Sequence, residues 1–211
     1  EEISKRVHEA GAQLHVDAVQ AAGRIPVNMN RLGIDFLTLS AHKIAGPQGV
    51  GALIVGPCAK APVLLRGGGQ EKRARAGTEN VAGIAGFGIA AELALSDAEH
   101  YQKLTELRDA MENRLKEIAP EAVIFGANAL RVANTSLIAL PGIPSKTQLM
   151  HMDLEGIAVS NGSACSSGKV HASHVTRAMG ANEKTANSAL RVSMGWNTKE
   201  PDIEAFITAW E

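Results

Sequence analysis

Cysteines, net charge and long apolar runs are all scarce in this sequence. The 211 residues include two cysteines, Cys58 and Cys165, which are too few for a disulfide framework and favour a reducing, cytoplasmic setting. The 21 Lys and Arg against 22 Asp and Glu give a net charge of −1, which argues against a large electrostatic footprint for nucleic acid or an anionic membrane. The longest near-apolar stretch, 81–95, is interrupted by three glycines and a glutamate, so no membrane span is expected.

The pattern of apolar runs predicts an α/β fold in two parts. Short apolar runs such as 34–39 and 50–55 alternate with helical and glycine-rich segments, which is typical of a sheet covered on both faces. A capping-box pattern at Ser96, followed by apolar residues at helical spacing, predicts a long helix. We therefore place a domain boundary there, giving regions 1–95 and 96–211. Because both termini fall within predicted helices, we expect a piece of a longer polypeptide.

Two charged residues follow predicted strands in the first region. Lys43 comes after strand 34–39, where its ammonium is expected to be partly desolvated and suited to Schiff-base chemistry, the alternative being an exposed lysine in a turn. Asp17 ends an earlier strand. Because adjacent parallel strands end at one edge of a sheet, the two groups could flank a flat cofactor. Asp17 alone would also suit a turn or a cap.

Glycine-rich and histidine-containing segments are also candidates for binding sites. Segment 66–78 carries four cations and leads to Thr78 before a predicted helix, so it could hold a phosphate or be a solvated loop. Segment 46–51 matches neither the dinucleotide nor the P-loop pattern. His171 and His174 have helical spacing but no third ligand cluster, and no metal site is predicted.

The second region contains a candidate nucleophile and a candidate anion-binding residue. Cys165 lies in a small-residue, glycine-bounded loop, which indicates a reactive thiol rather than a buried structural one. Cys58 is assigned no role. Arg191 lies within an apolar strand and needs an anionic partner if buried, for which a substrate carboxylate and a structural ion pair are both suitable.

Together these segments resemble the cysteine desulfurases, which are pyridoxal-phosphate enzymes of the class V aminotransferase group. The matching stretches run in the family's order and are HVDAVQ (15–20), SAHKIAGPQGVGAL (40–53), RGGGQEKRARAGTEN (66–80), SNGSACSSG (160–168) and ALRVSMG (189–195). The resemblance implies the fold of type I pyridoxal-phosphate transferases. Region 1–95 would be the second half of the cofactor-binding large domain, with a mainly parallel sheet. Region 96–211 would be a smaller α+β domain carrying the cysteine loop.

The resemblance also implies a role for each matching residue around pyridoxal 5′-phosphate. The implied cofactor contacts are Lys43 to the aldehyde, Asp17 to the pyridinium nitrogen, Gln20 to the phenolic oxygen, Ser40 and His42 to the phosphate, and Thr78 to the phosphate of the neighbouring subunit in a homodimer. Arg191 would bind the carboxylate of L-cysteine, and the Cys165 thiolate would attack its sulfur. The products would be L-alanine and a persulfide for a sulfur acceptor protein such as an iron–sulfur scaffold.

Two other readings of the sequence stay open. A selenocysteine lyase or another class V lyase would share Lys43 and Asp17. A cofactor-free scaffold fragment is the third reading, because family residues that belong upstream of Glu1 are not in this sequence.

Overall fold

The computed structural model describes residues 1–161 and 173–211. The chain divides into two compact units, Glu1–Glu99 and His100–Glu211. The division falls after Glu99, where the sequence predicted it after Leu95. The assignment of the two parts as large-domain portion and small domain stays a prediction.

The first unit is built on a three-stranded sheet. Its helices and strands are α1 (Glu2–Glu9), β1 (His15–Asp17), α2 (Met29–Leu32), β2 (Phe36–Ser40), β3 (Gly51–Val55) and α3 (Val81–Ser96), with 3-10 turns at Ala41–Ile44 and Gln70–Arg73. The strand order is β1-β2-β3, with β1 parallel to β2 and β2 antiparallel to β3. The sheet of the described strands is thus mixed, because the link 41–50 is too short for the crossover that a parallel neighbour requires.

Asp35 anchors the sheet at the edge where β2 begins. Its Oδ2 accepts the Leu14 N–H at 2.8 Å and lies 2.8 Å from Nε2 of His8 on α1. The Leu14 N–H, and then His8, hold the pKa of Asp35 below its ordinary value. One carboxylate therefore joins α1 and the approach to β1 to the start of β2.

Helix α3 is apolar on nearly all sides and has clear ends. Asn80 caps its start by accepting the Gly83 N–H at 3.1 Å. At its end, the Ser96 hydroxyl donates to the Leu93 carbonyl at 3.0 Å. Ser96 thus belongs to α3, and the capping box predicted there is wrong. Two helices meet around Asp97, and the local pattern Ser-x-x-Glu does not reveal which helix includes the serine.

The second unit contains an antiparallel sheet with helices against one face. Its elements are α4 (Ala98–Ile118), β4 (Val123–Ile124), β5 (Thr135–Ala139), α5 (Ser145–Leu154), β6 (Ser160–Asn161), α6 (His174–Ala178), α7 (Glu183–Ala186), β7 (Ala189–Ser193) and α8 (Glu200–Trp210). The strand order is β4-β5-β7-β6. Helices α4 and α8 pack Met111 and Phe206 into one core with Ile138 and Leu190 of the sheet. This is the α+β arrangement expected for the second region.

A buried ion pair fastens α4 to this sheet. Glu112 accepts two hydrogen bonds from Arg131, at 2.7 and 2.9 Å, and one from the Ser136 hydroxyl of β5 at 2.5 Å. The side chains of Glu112 and Arg131 are 8% and 16% exposed. Hydrogen bonding to Glu112 raises the pKa of Arg131, so the guanidinium stays charged.

A helix that spans a membrane must be both long and apolar. In the part of the chain that the structure describes, no single helix meets both requirements. Helix α3 and residues 101–118 of α4 pass only as a bent pair, by length and composition.

Candidate active site

The carboxyl ends of β1 and β2 bring several predicted site residues to one edge of the sheet. The strands run parallel with Asp17 opposite Thr38, and the Ala18 N–H donates to the Thr38 carbonyl at 3.0 Å. Asp17 is the last residue of β1 and Ser40 the last of β2. Because the turn bearing Lys43 follows Ser40 directly, the carboxylate and the amine are placed at the same edge, as the sequence predicted.

Asp17 and Gln20 occupy the turns after β1. The Asp17 carboxylate is exposed and accepts the Val19 N–H at 3.1 Å. The Gln20 side-chain oxygen accepts from Nη1 of Arg24, which also donates to the Gln20 backbone carbonyl at 2.9 Å. Arg24 therefore fixes which end of the amide accepts and leaves the NH₂ group as the donor. Arg24 was not predicted from the sequence, although its position four residues after Gln20 would have allowed a contact between the two side chains to be predicted.

The turn after β2, which carries Lys43, begins with a buried residue. Ala41 is fully buried and donates its N–H to the Val50 carbonyl at 3.0 Å, and the Gly46 N–H donates to the Ala41 carbonyl at 2.8 Å. The Ser40 hydroxyl lies 3.0 Å from Nδ1 of His42. These contacts make the turn a defined structure and bring the two predicted phosphate ligands together.

Lys43 itself is exposed, so the partial desolvation predicted for its ammonium is wrong for the described structure. The apolar strand ends at Ser40, and the turn carries Lys43 past the sheet edge. The packing that the structure describes covers Ala41 rather than the lysine.

Helix α3 supports this turn through glycine contacts. A Cβ at Gly86 would lie 2.7 Å from Cγ of Pro47, and a Cβ at Gly46 would lie 3.1 Å from Cβ of Ala90. Both distances are shorter than an ordinary contact, so the turn and helix approach as closely as they do because the side chains are absent. Close packing thus explains Gly46 of the glycine-rich segment 46–51, whereas Gly49 has open space at its missing Cβ and a φ of +77°.

Thr78 lies in the loop before α3. It is exposed, and within the described residues no hydrogen bond joins it to Asp17, Ser40 or Lys43. The preceding residue, Gly77, is held by two side chains of its loop: its N–H donates to Oε1 of Gln70 at 3.3 Å, and its carbonyl accepts from Nη1 of Arg75 at 3.2 Å. Sequence analysis did not identify Gln70.

Arg191 lies in the middle of β7, between Leu137 of β5 and Ser160 of β6. Its Nε is buried and has no hydrogen-bond partner among residues 1–161 and 173–211. No carboxylate of those residues pairs with it, so the structural ion pair considered from the sequence is not found there. A buried donor without a partner is suited to an anionic ligand.

Cys165 and His171 lie outside the described residues. The reactive thiol and the absence of a metal site at the two histidines therefore stay predictions. A cavity of about 460 Å³ between β3 and α3 is lined by Val50, Leu64, Ile84 and Phe87 among others, and none of the predicted site residues lines it.

The donor set at the β1 and β2 edge fits pyridoxal phosphate. It offers a carboxylate for a ring nitrogen, an amide donor for a phenolic oxygen, a hydroxyl with an imidazole for a phosphate, and an amine for an aldehyde.

The sequence matches the family described as aminotransferase class-V over residues 1–206. The chain belongs to this family. It is 46% identical over 208 residues to a cysteine desulfurase of Nostoc sp., covering 98% of this chain and 52% of that protein. It is 41% identical over 204 residues to the cysteine desulfurase IscS of Dictyoglomus turgidum, with 96% and 52% covered. The X-ray structure of a NifS-like protein from Rickettsia africae matches with a TM-score of 0.87 and 42% identity, covering all of this chain and 56% of that one.

These comparisons confirm the resemblance and the fold that the sequence predicted. The class V aminotransferase family implies pyridoxal phosphate as the cofactor, in agreement with the donor set at the sheet edge. The chain spans about half the length of the curated relatives it matches.

Proposed function

We propose that this member of the class V aminotransferase family acts in a cysteine desulfurase, which removes sulfur from L-cysteine with pyridoxal 5′-phosphate. The observation that carries the proposal is the placement of Asp17 at the end of β1 and of Lys43 in the turn directly after the adjacent parallel strand β2. The names of the Nostoc and Dictyoglomus relatives support the choice of reaction within the family.

Each residue at the sheet edge has a task that suits its chemistry. When bound, the cofactor supplies an electron sink for bond cleavage next to the substrate nitrogen. The Asp17 carboxylate would keep the ring nitrogen protonated, and Gln20, oriented by Arg24, would donate to the phenolic oxygen. Ser40 and His42 would hold the phosphate. The Lys43 amine would hold the aldehyde and move protons during turnover.

Residues of the second unit act on the substrate. The buried Nε of Arg191, which has no partner in the described part of the chain, makes its guanidinium suited to the carboxylate of L-cysteine. The Cys165 thiolate attacks the substrate sulfur, so that a sulfur–sulfur bond forms while the carbon–sulfur bond breaks. The electron pair left on Cβ takes up a proton, and L-alanine leaves. One thiol and one L-cysteine thus become one persulfide and one L-alanine, with no outside oxidant.

We further propose a cytoplasmic homodimer in which Thr78 reaches the cofactor phosphate of the neighbouring subunit. The low cysteine content supports a reducing compartment. Thr78 is exposed and makes no hydrogen bond to Ser40 or His42 within the described residues, which suits a contact across subunits. The persulfide would pass to a sulfur acceptor protein such as an iron–sulfur scaffold.

Cofactor binding is tested by the visible absorption spectrum after addition of pyridoxal phosphate. We expect a band that is lost in Lys43→Ala and kept in Lys60→Ala, which removes another exposed lysine of the same unit. No band at saturating cofactor would support the cofactor-free scaffold instead.

The sulfur chemistry is tested by release of alanine and sulfide from L-cysteine in the presence of a thiol reductant. We expect Cys165→Ser to abolish release while keeping the absorption band, and Cys58→Ser to keep both. Full activity of Cys165→Ser would rule out a persulfide on that residue.

A further inference from the structure

The loop before α3 holds the residue next to Thr78 from both sides. Gln70 accepts the Gly77 N–H, and Arg75 donates to the Gly77 carbonyl. Gly77 has a φ of +106°, a backbone conformation that residues with a side chain rarely adopt. Because the Gly77 carbonyl and the Thr78 N–H share one planar peptide group, fixing the carbonyl also fixes the direction of that N–H.

The same loop is folded back on itself in an unfavourable conformation. Glu71, Lys72 and Arg73 have φ values of 48°, 52° and 69°, all in the left-handed region that non-glycine residues avoid. The fold-back brings Gln70 opposite Gly77. Backbone hydrogen bonds from Leu64 to Ala74 at 2.8 Å and from Ala76 to Leu65 at 3.1 Å close the loop. Such strain persists only where surrounding contacts maintain it, and it concentrates at functional sites.

A glycine leaves the space that the Gln70 side chain occupies. A Cβ at Gly68 would lie 2.3 Å from Oε1 of Gln70, whereas a Cβ at Gly69 would meet no atom within 4 Å. The amide therefore reaches Gly77 because residue 68 has no side chain.

We propose that Gln70 is a positioning residue that helps to present Thr78 to the phosphate of pyridoxal 5′-phosphate by holding the N–H of Gly77, the residue before Thr78. This inference rests on the proposed function. Thr78 itself makes no hydrogen bond within the described residues, so its N–H and its hydroxyl are both available to an anion. Arg75 holds the next peptide group, which joins Gly77 to Thr78, but its charge could also attract a phosphate directly. Gln70 is neutral and gives the cleaner test.

The test compares the dissociation constants of pyridoxal phosphate and of pyridoxal, which lacks the phosphate, by titration of the absorption band. Loss of one net hydrogen bond corresponds to roughly a fivefold change in affinity. We expect Gln70→Met and Gly68→Ala each to weaken pyridoxal phosphate binding about fivefold and to leave pyridoxal binding unchanged. Gly69→Ala is the matched control and should behave as the unmodified protein.

Two results would overturn this inference while leaving the proposed function intact. One is equal weakening of both ligands by Gln70→Met, which indicates general damage to the fold. The other is identical behaviour of Gly68→Ala and Gly69→Ala. Hydrogen exchange of the Gly77 amide provides a readout without cofactor, and it should be faster in Gln70→Met and Gly68→Ala. If the unmodified protein forms no band with either ligand, the proposed function fails, and this inference fails with it.

Discussion

The packing of the turn that carries Lys43 against helix α3 can be tested by adding one methyl group to the helix. In Gly86→Ala the new Cβ would lie 2.7 Å from Cγ and 3.2 Å from Cδ of Pro47, so the rigid ring must retreat by about 0.7 Å to reach an ordinary contact of 3.4 Å. Extra volume in a packed contact costs roughly 1–3 kcal/mol. Replacing a helical glycine with alanine recovers about 1 kcal/mol. We therefore expect a net loss of about 0–2 kcal/mol.

Gly88→Ala is the matched control because it changes the same helix in the same way. A Cβ at Gly88 meets no atom within 4 Å, so only the gain in helix propensity of about 1 kcal/mol is expected. The two variants should differ by about 1–3 kcal/mol. Because Pro47 belongs to the turn that carries Lys43, Gly86→Ala should also slow the reaction of the lysine with pyridoxal phosphate, by about tenfold for a shift of this size.

The stability assay can separate the two units. Both tryptophans, Trp196 and Trp210, lie in the second unit, so their fluorescence in urea follows that unit alone. Circular dichroism follows the whole chain, and a change seen by this method but not by fluorescence belongs to the first unit. Equal stabilisation by Gly86→Ala and Gly88→Ala, with an unchanged rate of reaction of the lysine with pyridoxal phosphate, would refute the proposed packing of the turn against α3.

Two further predictions concern charges that hold each unit together. Arg131→Met leaves the buried Glu112 carboxylate without its charged partner and should lower the stability of the second unit by about 3–5 kcal/mol. Adding Glu112→Gln should restore much of this stability, as measured by tryptophan fluorescence in urea. No recovery in the double variant would contradict the pairing. Since the Leu14 N–H lowers the pKa of Asp35 from 3.8, the carboxylate stabilises the fold fully above that pH and loses its effect as the pH falls through the lowered pKa. The extra protection of the Leu14 amide against hydrogen exchange, relative to Asp35→Asn, should shrink on acidification, and a pH-independent difference would contradict this.

The sequence predicted those elements that depend on local apolar pattern. The strands at 34–39 and 50–55 were placed within two residues of β2 and β3, because short apolar runs between glycines leave little choice of register. Helix α2 was missed because four residues are too few to show a helical period, although Asn28 and Gly33 cap its two ends. The direction of β3 was available in principle, since link 41–50 has no room for a crossover helix.

The sequence also pointed to candidate site residues at strand ends, but not to the residues that hydrogen-bond in the neighbouring loops. Asp17 and Lys43 could be paired because strand ends share an edge. The roles of Arg24 and Gln70 depend on how loops fold back, and in the case of Gln70 on three left-handed residues that no periodic pattern predicts. The exposure of Lys43 could not be predicted either, because it depends on what packs around the turn rather than on the preceding strand.

The unsatisfied polar groups argue for a ligand-binding protein rather than a cofactor-free scaffold. Nε of Arg191 is a buried donor with no partner among residues 1–161 and 173–211. A buried donor that stays unpaired costs about 1–3 kcal/mol, and an anionic ligand would supply the partner. At the sheet edge, Ser40 contacts His42, and both residues and Lys43 lie close to Ala41, which is fully buried. In the proposed function, an anionic cofactor and an anionic substrate would provide partners for the Ser40 and His42 pair and for the Arg191 guanidinium.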